Sequence, residues 1–164
     1  MTSYARFETP LGLLIAVCND GGLTGLYFHD EKHAVAIQPD WREEASARPL
    51  ADCRRQLDEY FAGRRRTFDV VLAAEGTEFQ KRVWNQIARI PYGETITYSE
   101  LARRAGSPGS SRAAGAATGH NPISILVPCH RVVGSDGSLT GYAGGLPRKT
   151  RLLEIEGALQ GSLV

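Results

Sequence analysis

The chain has 164 residues, 42% of them hydrophobic and 23% charged, which suits one ordinary domain or two small domains that share a core. This composition excludes disordered and collagen-like proteins, and no apolar run approaches the roughly 18 residues that a membrane span needs. The first residues lack the basic and apolar regions of a signal peptide, and the three cysteines are far apart and odd in number. These features predict a cytoplasmic protein in a reducing compartment, without disulfides and without a membrane partner.

The formal net charge of +1 is divided unevenly between the two halves of the chain. Residues 1–76 carry nine Lys and Arg against twelve Asp and Glu, whereas residues 77–164 carry ten against six. The second half could therefore face a polyanion more easily than the first. The signal is weak alone, because many domains that bind no polyanion show the same asymmetry.

The chain begins with a pattern that predicts a small antiparallel sheet. Residues 4–8, 13–17 and 23–28 are β-prone. They are separated by the turn sequences Thr9-Pro10-Leu11-Gly12 and Asn19-Asp20-Gly21-Gly22, the second of which supplies residues that tolerate positive φ. The spacing is that of a meander.

The rest of the first half is predicted to be irregular, then helical, then extended. Residues 29–49 are polar, and the two histidines there, His29 and His33, are too isolated to predict a metal site. Apolar side chains recur at helical spacing over residues 50–62, and residues 68–72 favour one more strand.

The second half opens with two helix starts of the same kind. Thr77 with Gln80, and Thr97 with Glu100, each fit a capping box in which two orphan N–H groups are bonded reciprocally. A tight turn over 106–109 then separates the second of these helices from a third. Two short helices joined by a Gly-containing turn predict a helix-turn-helix.

The third helix, over residues 110–118, is made almost entirely of small residues, and its one large side chain is Arg112. A helix without bulk can approach another surface closely. That surface could be another helix, which would be pure packing, or a nucleic-acid backbone with Arg112 reaching past it. Composition alone favours packing.

Cys129 follows an apolar run and Pro128, and it precedes Val132 and Val133. This pattern predicts that the thiol lies at the end of a short, rigid, buried segment. His130 and Arg131 follow it directly and could supply the positive charge that favours a thiolate. The alternative is an ordinary buried thiol that acts as a small hydrophobic residue.

The chain then turns at 134–137, passes through a glycine-rich loop over 140–145, and enters a last helix near Pro147. Glu156 falls near the end of that helix, where a carboxylate is electrostatically unfavourable. Such an acid needs a partner, and His130 is a candidate. The elements together predict an α/β (α+β) fold, in which a small N-terminal antiparallel sheet with a helix is joined to a mostly helical C-terminal domain containing the helix-turn-helix.

Taken together, these motifs resemble the methylated-DNA–protein-cysteine methyltransferases, the O6-alkylguanine-DNA alkyltransferases. The most specific part is Pro128-Cys129-His130-Arg131 with Asn121-Pro122 seven residues before it. The N-terminal half fits through its first turn, Thr9-Pro10-Leu11-Gly12. The resemblance implies an N-terminal ribonuclease H-like domain over residues 1–75 and a C-terminal DNA-binding and alkyl-acceptor domain over residues 76–164.

The resemblance also implies catalytic roles. Cys129 would accept the alkyl group, His130 would act as its base through a water, and Glu156 would orient the imidazole. Asn121 would be the hinge that ties the helix-turn-helix to the active-site segment. Tyr98 would crowd the target phosphate and donate to the leaving guanine.

The residues that the resemblance assigns to DNA surround the helix-turn-helix. Arg112 would fill the gap left by a base that is rotated out of the stack, and the small side chains of its helix would allow docking in the minor groove. The implied DNA-binding residues are Arg112, Ser99, Ser107, Ser135, Ala113 and Gly115. The implied base-pocket residues are Val132, Tyr142, Ala143, Gly144 and Lys149.

Two positions depart from the family pattern. Ser124 stands where some members have a further proline, which would open the base pocket. Ala143 replaces a serine seen in others, so only its backbone N–H could bond guanine O6.

The implied reaction is DNA repair by direct reversal, in which a methyl or larger alkyl group passes from O6-alkylguanine, and from O4-methylthymine, to Cys129. The product is a thioether without a carbonyl for water to attack, so transfer would be irreversible and stoichiometric. The implied partner is double-stranded DNA, bound in the minor groove with base flipping by a monomer, with cooperative binding left open. Some members hold zinc in their N-terminal half, but this chain shows no clear set of cysteine and histidine ligands there, so neither a metal nor a cofactor is predicted.

Other functions are compatible with parts of the pattern. They are a non-catalytic alkyltransferase-like lesion-binding protein, a cysteine hydrolase, and a transcription regulator that uses the helix-turn-helix. The presence of Cys129 counts against the first, because those proteins lack the acceptor cysteine. The missing sensor module counts against the last.

Overall fold

The structure is a computed structural model that describes residues 1–32 and 34–159. The chain forms two compact units. The first comprises Met1–Glu75 together with Pro122–Ser124, and the second comprises Gly76–Asn121 and the chain from Ile125 onward. No helix in the described part of the chain is long and apolar enough to cross a bilayer.

The first unit contains the predicted meander. Strands β1 (Ser3–Thr9), β2 (Gly12–Asn19) and β3 (Gly22–Phe28) pair antiparallel in sequence order. The sequence did not predict β4 (Arg42–Glu43), which pairs parallel with the start of β1 and gives the sheet order β3-β2-β1-β4. Two residues are too few for an alternating pattern to be visible.

Helix α1 (Arg48–Phe61) is the predicted helix of this unit, extended by two residues at its start. Its inward face packs against β1, β2 and β3, as its apolar periodicity predicts. The buried side chains on this face are Leu50, Cys53, Gln56, Leu57 and Tyr60.

The strand predicted over residues 68–72 is wrong. Of these residues, only Leu72 forms a bridge, and its single partner is Leu23 on β3. The edge of β3 is shared, because the N–H of Leu26 donates to Pro122 O at 2.8 Å farther along the same strand. A side chain also competes for the backbone of this segment, since the N–H of Asp69 donates to Gln56 Oε1 at 2.9 Å. The free edge of β3 is therefore too short for residues 68–72 to form a continuous ladder with it.

The second unit begins with α2 (Glu78–Ala88), and its predicted capping box is confirmed. The N–H of Gln80 donates to Thr77 Oγ1 at 3.1 Å, and Gln80 Oε1 accepts from the N–H of Thr77 at 3.0 Å. Strand β5 (Ile96–Thr97) leads into α3 (Tyr98–Arg104).

The second predicted capping box is only half formed. Thr97 Oγ1 accepts from the N–H of Glu100, but the Glu100 carboxylate binds Arg103 and Arg104 instead of reaching back. These arginines lie three and four residues later, where helical side chains meet, and they outcompete the neutral backbone donor.

Helix α4 (Ser111–Gly119) completes the predicted helix-turn-helix and packs against α2 and α3. The inward face of α4 buries Ala114, Ala117 and Thr118, and Trp84 Nε1 donates to Ala117 O at 2.8 Å. Arg112 and Ala113 lie on the exposed face. The small residues therefore serve packing on one side and leave a shallow surface on the other.

The remaining elements surround Cys129. Residues Cys129–Arg131 form one turn of 3-10 helix, and β6 (Val132–Val133) follows at once and pairs parallel with β5. Helix α5 (Leu146–Ile155) ends at Glu156, its C-terminal cap. The predicted fold class is confirmed by this mixed architecture.

Candidate active site

Cys129 is buried as predicted, with 5% of its surface exposed, but its segment is not extended. The N–H of Cys129 turns back to Val127 O at 2.8 Å, and the N–H of Arg131 bonds Pro128 O at 2.9 Å. Four residues before the thiol, Ile125 has φ of 71°, a left-handed conformation that a β-branched residue rarely adopts. Such strain persists only where surrounding packing enforces it, and Ile125 is itself buried.

Asn121 fixes the approach to this turn. It lies two residues after the end of α4, and its Nδ2 donates to Val127 O at 2.8 Å. The end of the helix-turn-helix is thus bonded to the backbone two residues before Cys129.

The predicted partner of Glu156 is His130. Nε2 of His130 lies 2.8 Å from Oε2 of Glu156, and neither side chain is exposed. Burial raises the pKa of Glu156, but hydrogen bonds from His130 and Arg131 outweigh it and lower that pKa to about 2. Glu156 is therefore a carboxylate at neutral pH.

The ionised Glu156 decides which nitrogen of His130 carries the proton. A carboxylate only accepts, so Nε2 donates and Nδ1 holds a lone pair. Among the described residues, buried Nδ1 has no hydrogen-bond partner. Burial lowers the pKa of His130; Glu156 opposes this, while the charges of Arg131 and Lys149 add to it. The result is a neutral imidazole with Nδ1 free to accept a proton.

The position of Arg131 next to His130 and Cys129 suggested that its charge acts on the thiol. In the structure its donors bind other groups. Its Nε donates to Glu156 Oε1 and one terminal nitrogen donates to Oε2, both at 2.8 Å. The other terminal nitrogen donates to Ile90 O at 2.6 Å, and the guanidinium lies 5.8 Å from the centre of the Tyr92 ring. Its charge is therefore paired with the carboxylate.

Lys149 is fully buried on α5, and its ammonium has three acceptors. Nζ donates to Val132 O at 2.7 Å, Thr140 O at 2.9 Å and Gly141 O at 3.2 Å. Burial lowers the pKa of Lys149 to about 8, against the opposing effect of a Cys129 thiolate. Lys149 thus fastens the loop before α5 beside β6.

Tyr98, the first residue of α3, contacts the same loop and the same lysine. Its hydroxyl donates to Thr140 O at 3.2 Å, and its ring centre lies 6.0 Å from Lys149 Nζ. Burial raises the pKa of Tyr98; the bond to Thr140 opposes the rise, and negative charge on Cys129 adds to it. The phenol therefore remains a hydrogen-bond donor at neutral pH.

The starts of α3 and α4 border a cleft of about 280 Å³. Arg112 and Ser135 are exposed there, and no ion pair of Arg112 is present within the described residues. The lining residues are Tyr98, Ser99, Ser111, Arg112, Gly115 and Ser135.

Known families match both halves of this chain. The model described as the ribonuclease-like domain of 6-O-methylguanine DNA methyltransferase matches residues 2–74, and the model described as its DNA binding domain matches residues 78–158. A methylated-DNA–protein-cysteine methyltransferase of Methanosarcina acetivorans is 48% identical, over 94% of this chain and 98% of that protein. The chain belongs to the 6-O-methylguanine DNA methyltransferase family.

Other members of this methyltransferase family agree in sequence and fold. The relative from Mycolicibacterium paratuberculosis is 47% identical, over 95% of this chain and 93% of that protein. The crystal structure of Mycobacterium tuberculosis OGT in complex with DNA is 43% identical, with a TM-score of 0.86, covering 95% of this chain and 93% of that one. The family resemblance noted in the sequence is confirmed.

Several residues that the methyltransferase resemblance assigned to one site do lie near one another. His130 bonds Glu156, and Tyr98 and Lys149 interact electrostatically with Cys129. Lys149 bonds the carbonyl of Val132. The other residues that the resemblance assigned to the base pocket lie in the loop before α5, where Gly144 is buried and Tyr142 and Ala143 are half-buried.

The cleft differs from the set of DNA-binding residues assigned by the resemblance. Ser107 and Ala113 do not line it. Ser107 lies in the turn between α3 and α4 with its N–H bonded to Ala102 O at 2.9 Å, and Ala113 lies on the exposed face of α4. Ser111 lines it and was missed, because small residues in a short helix give no signal of which face is open. The sequence placed Arg131 beside the thiol and missed its pairing with Glu156, although the acid predicted to need a partner at the end of α5 was a signal for that pairing.

The described residues contain no group of three or more His, Cys, Asp or Glu side chains that could hold a metal ion. His33, one of the two histidines considered in the sequence, lies outside the described residues.

Proposed function

We propose that this protein repairs DNA by direct reversal, with Sγ of Cys129 accepting a methyl or larger alkyl group from guanine O6 or thymine O4. The main support for this proposal is a buried thiol followed by a neutral imidazole whose Nδ1 has no hydrogen-bond partner among the described residues. The 48% identity to a methylated-DNA–protein-cysteine methyltransferase supports the same reaction.

The chemistry follows from the protonation states. Cys129 and His130 are adjacent, so their side chains diverge, and a water relays the thiol proton to Nδ1. Sγ attacks the alkyl carbon, the bond from that carbon to O6 breaks, and a thioether forms. Tyr98 donates a hydrogen bond to the departing guanine, which takes up one proton at a ring nitrogen, while the His130 imidazolium releases the proton that it received. Overall, one proton moves from the thiol to the guanine. Water cannot cleave the thioether, so each molecule reacts once.

The DNA partner is proposed to meet the helix-turn-helix in the minor groove. Ala113 and Gly115 let α4 approach closely, and Arg112 enters the space left by the flipped base. The phosphate contacts are assigned to Ser99, Ser107 and Ser135. Residues 76–164 would act as the DNA-binding and alkyl-acceptor domain of a monomer, and residues 1–75 as a ribonuclease H-like domain.

The base pocket is proposed to form around the loop before α5. Ala143 offers its backbone N–H to O6, and Val132, Tyr142, Gly144 and Lys149 surround the base. The three bonds of Lys149 support this assignment, because they hold the loop beside the strand that follows Cys129.

The decisive measurement is peptide mass spectrometry after incubation with duplex DNA containing O6-methylguanine. We expect the Cys129 peptide to gain the mass of one methylene, permanently and with one product per protein. Cys18 and Cys53 are the internal controls, because both thiols are buried and burial raises the pKa of each. Tight lesion binding without modification would instead indicate a non-catalytic lesion-binding protein, and turnover beyond one would indicate a hydrolase.

Arg112→Ala is expected to separate base extrusion from chemistry. Single-turnover transfer from duplex DNA should slow by at least about tenfold, because a few kcal/mol of unstacking then lack compensation. Transfer from a free O6-alkylguanine base should be unchanged. Arg103→Ala, which removes an exposed arginine from α3, is the matched control. Equal losses on duplex and free base would contradict the proposal that Arg112 fills the space left by the flipped base.

A further inference from the structure

Glu156 occupies an unfavourable place for a negative charge. It is the C-terminal cap of α5, where the helix dipole repels a carboxylate, and its side chain is fully buried. A buried charge persists only when it is paired and hydrogen-bonded. Arg131 provides this with two parallel N–H···O bonds, the strongest geometry for a guanidinium and a carboxylate.

We propose that Arg131 is a positioning residue, which holds Glu156 ionised and oriented so that the His130 proton stays on Nε2 and Nδ1 stays free for the Cys129 proton. This inference rests on the proposed alkyl transfer, because it assigns a role in activating that thiol. The resemblance assigned no role to Arg131.

A count of charges explains why the arginine matters. Glu156 and Arg131 together are neutral, so the pair exerts little net pull for a proton on His130. Without the guanidinium, the buried carboxylate would draw in one further proton. If that proton bound the imidazole, Nδ1 would carry it. If it bound the carboxyl group, the acid would donate to Nε2 and the remaining ring proton would move to Nδ1. In both states Nδ1 carries a proton and cannot accept the proton of Cys129.

The arginine is itself held from a third direction. Its remaining terminal nitrogen donates to Ile90 O, and its plane lies near the Tyr92 ring, whose hydroxyl donates to Ile155 O at 3.1 Å. The turn after α2 therefore fixes both the guanidinium and the last residue of α5. A lysine could supply the charge but not this three-point contact.

Within residues 1–32 and 34–159, the charged groups that act on His130 are Glu156 and Lys149 on α5 and Arg131 on its own turn, which also carries Cys129. Lys149 cannot replace Arg131, because all three of its donors are used by backbone carbonyls.

The test compares four full-length variants with the parent: Arg131→Met, Arg131→Lys, the double variant Arg131→Met with Glu156→Gln, and Tyr92→Phe. Nitrogen-15 NMR of the His130 ring reports the tautomer and the pKa without DNA. Single-turnover transfer at a series of pH values reports the acid limb of the rate. Tyr92→Phe is the matched control, because it loosens the same helix end without changing a charge.

We expect Arg131→Met to raise the pKa of His130 by about 1 or more and to shift the acid limb of the rate upward equally. Transfer near neutral pH should fall about tenfold and recover at high pH. The double variant removes both charges and should return the pKa to the parent value. Arg131→Lys should keep that pKa while lowering the rate at every pH. Tyr92→Phe should shift neither the pKa of His130 nor the acid limb of the rate.

A His130 in Arg131→Met that stays neutral and protonated on Nε2 over the parent's pH range would overturn the proposal. If Arg131→Met does not fold, the double variant and Arg131→Lys decide, since a shifted pKa in either contradicts the charge argument. The NMR arm needs no alkyl transfer. If the parent protein transfers no alkyl group but the NMR shifts appear as expected, the proposed function is wrong and the assignment of the Nε2 proton remains supported.

Discussion

Glu156→Ala is expected to destabilise the protein by about 3–5 kcal/mol, because it removes one partner of a buried ion pair and leaves the other without compensation. Arg131 would lose both carboxylate bonds, and His130 would lose the acceptor for Nε2–H. The free energy of unfolding, measured with urea, checks this. Glu156→Gln keeps an oxygen that can accept from His130, so its free energy of unfolding should fall by less than that of Glu156→Ala.

Glu154→Ala is the matched control for Glu156→Ala. Glu154 lies on the same last turn of α5, and its partner is the exposed Arg151 at 3.4 Å. Exposed pairs contribute at most about 1 kcal/mol, so this variant should differ little from the parent. A loss for Glu156→Ala as small as that for Glu154→Ala would contradict the paired, buried state of the carboxylate.

Acid unfolding provides a second view of the same carboxylate. The pKa of Glu156 is about 2 in the folded protein and about 4.3 in an unfolded chain. A lowered pKa contributes stability that is complete above about 4.3 and is lost as the pH falls towards 2, by about 3 kcal/mol in all. Glu156→Gln should flatten the stability profile in that pH range.

The sequence predicted well those elements whose defining residues lie close together in the chain. The Thr77 capping box formed as predicted, and the meander and the helix-turn-helix are present. Physical chemistry alone also indicated that the acid at the end of α5 needed a partner, and His130 is one.

The predictions for Arg131 and for the segment over 68–72 failed for a different reason, which is competition between partners distant in sequence. Arg131 was placed with Cys129 because the two are neighbours in the chain, whereas its partners are Ile90 and Glu156. The segment over 68–72 has strand propensity, but β3 offers it only a short free edge. No window of sequence contains these alternatives, so propensity could not decide among them.

The last prediction concerns Lys149, whose burial carries a cost in folding. Its pKa is about 8 in the folded protein and about 10.4 in an unfolded chain, so folding disfavours the charged form. The cost is complete below pH 8, shrinks as the pH rises, and vanishes above about 10.4. It amounts to about 3 kcal/mol at neutral pH, offset by the three carbonyl bonds.

Lys149→Met should therefore change stability at neutral pH little but impair the thiol. The ammonium and a Cys129 thiolate stabilise each other, so removing the ammonium disfavours the thiolate. We expect the Cys129 peptide to be alkylated by iodoacetamide about tenfold more slowly at neutral pH, with the pH midpoint moved upward. Arg151→Met, an exposed cation on the same helix, is the control and should leave both unchanged.

The two measurements on Lys149→Met separate function from packing. Unchanged thiol reactivity with lowered stability would mean that Lys149 serves only to hold the loop before α5 in place. Slower alkylation with unchanged stability would mean that the protein keeps a buried ammonium, despite its cost, because the acceptor thiol depends on it. That outcome would place Lys149 beside Arg131 as a cation whose role is to set the charge of a neighbour, one for Cys129 and the other for Glu156.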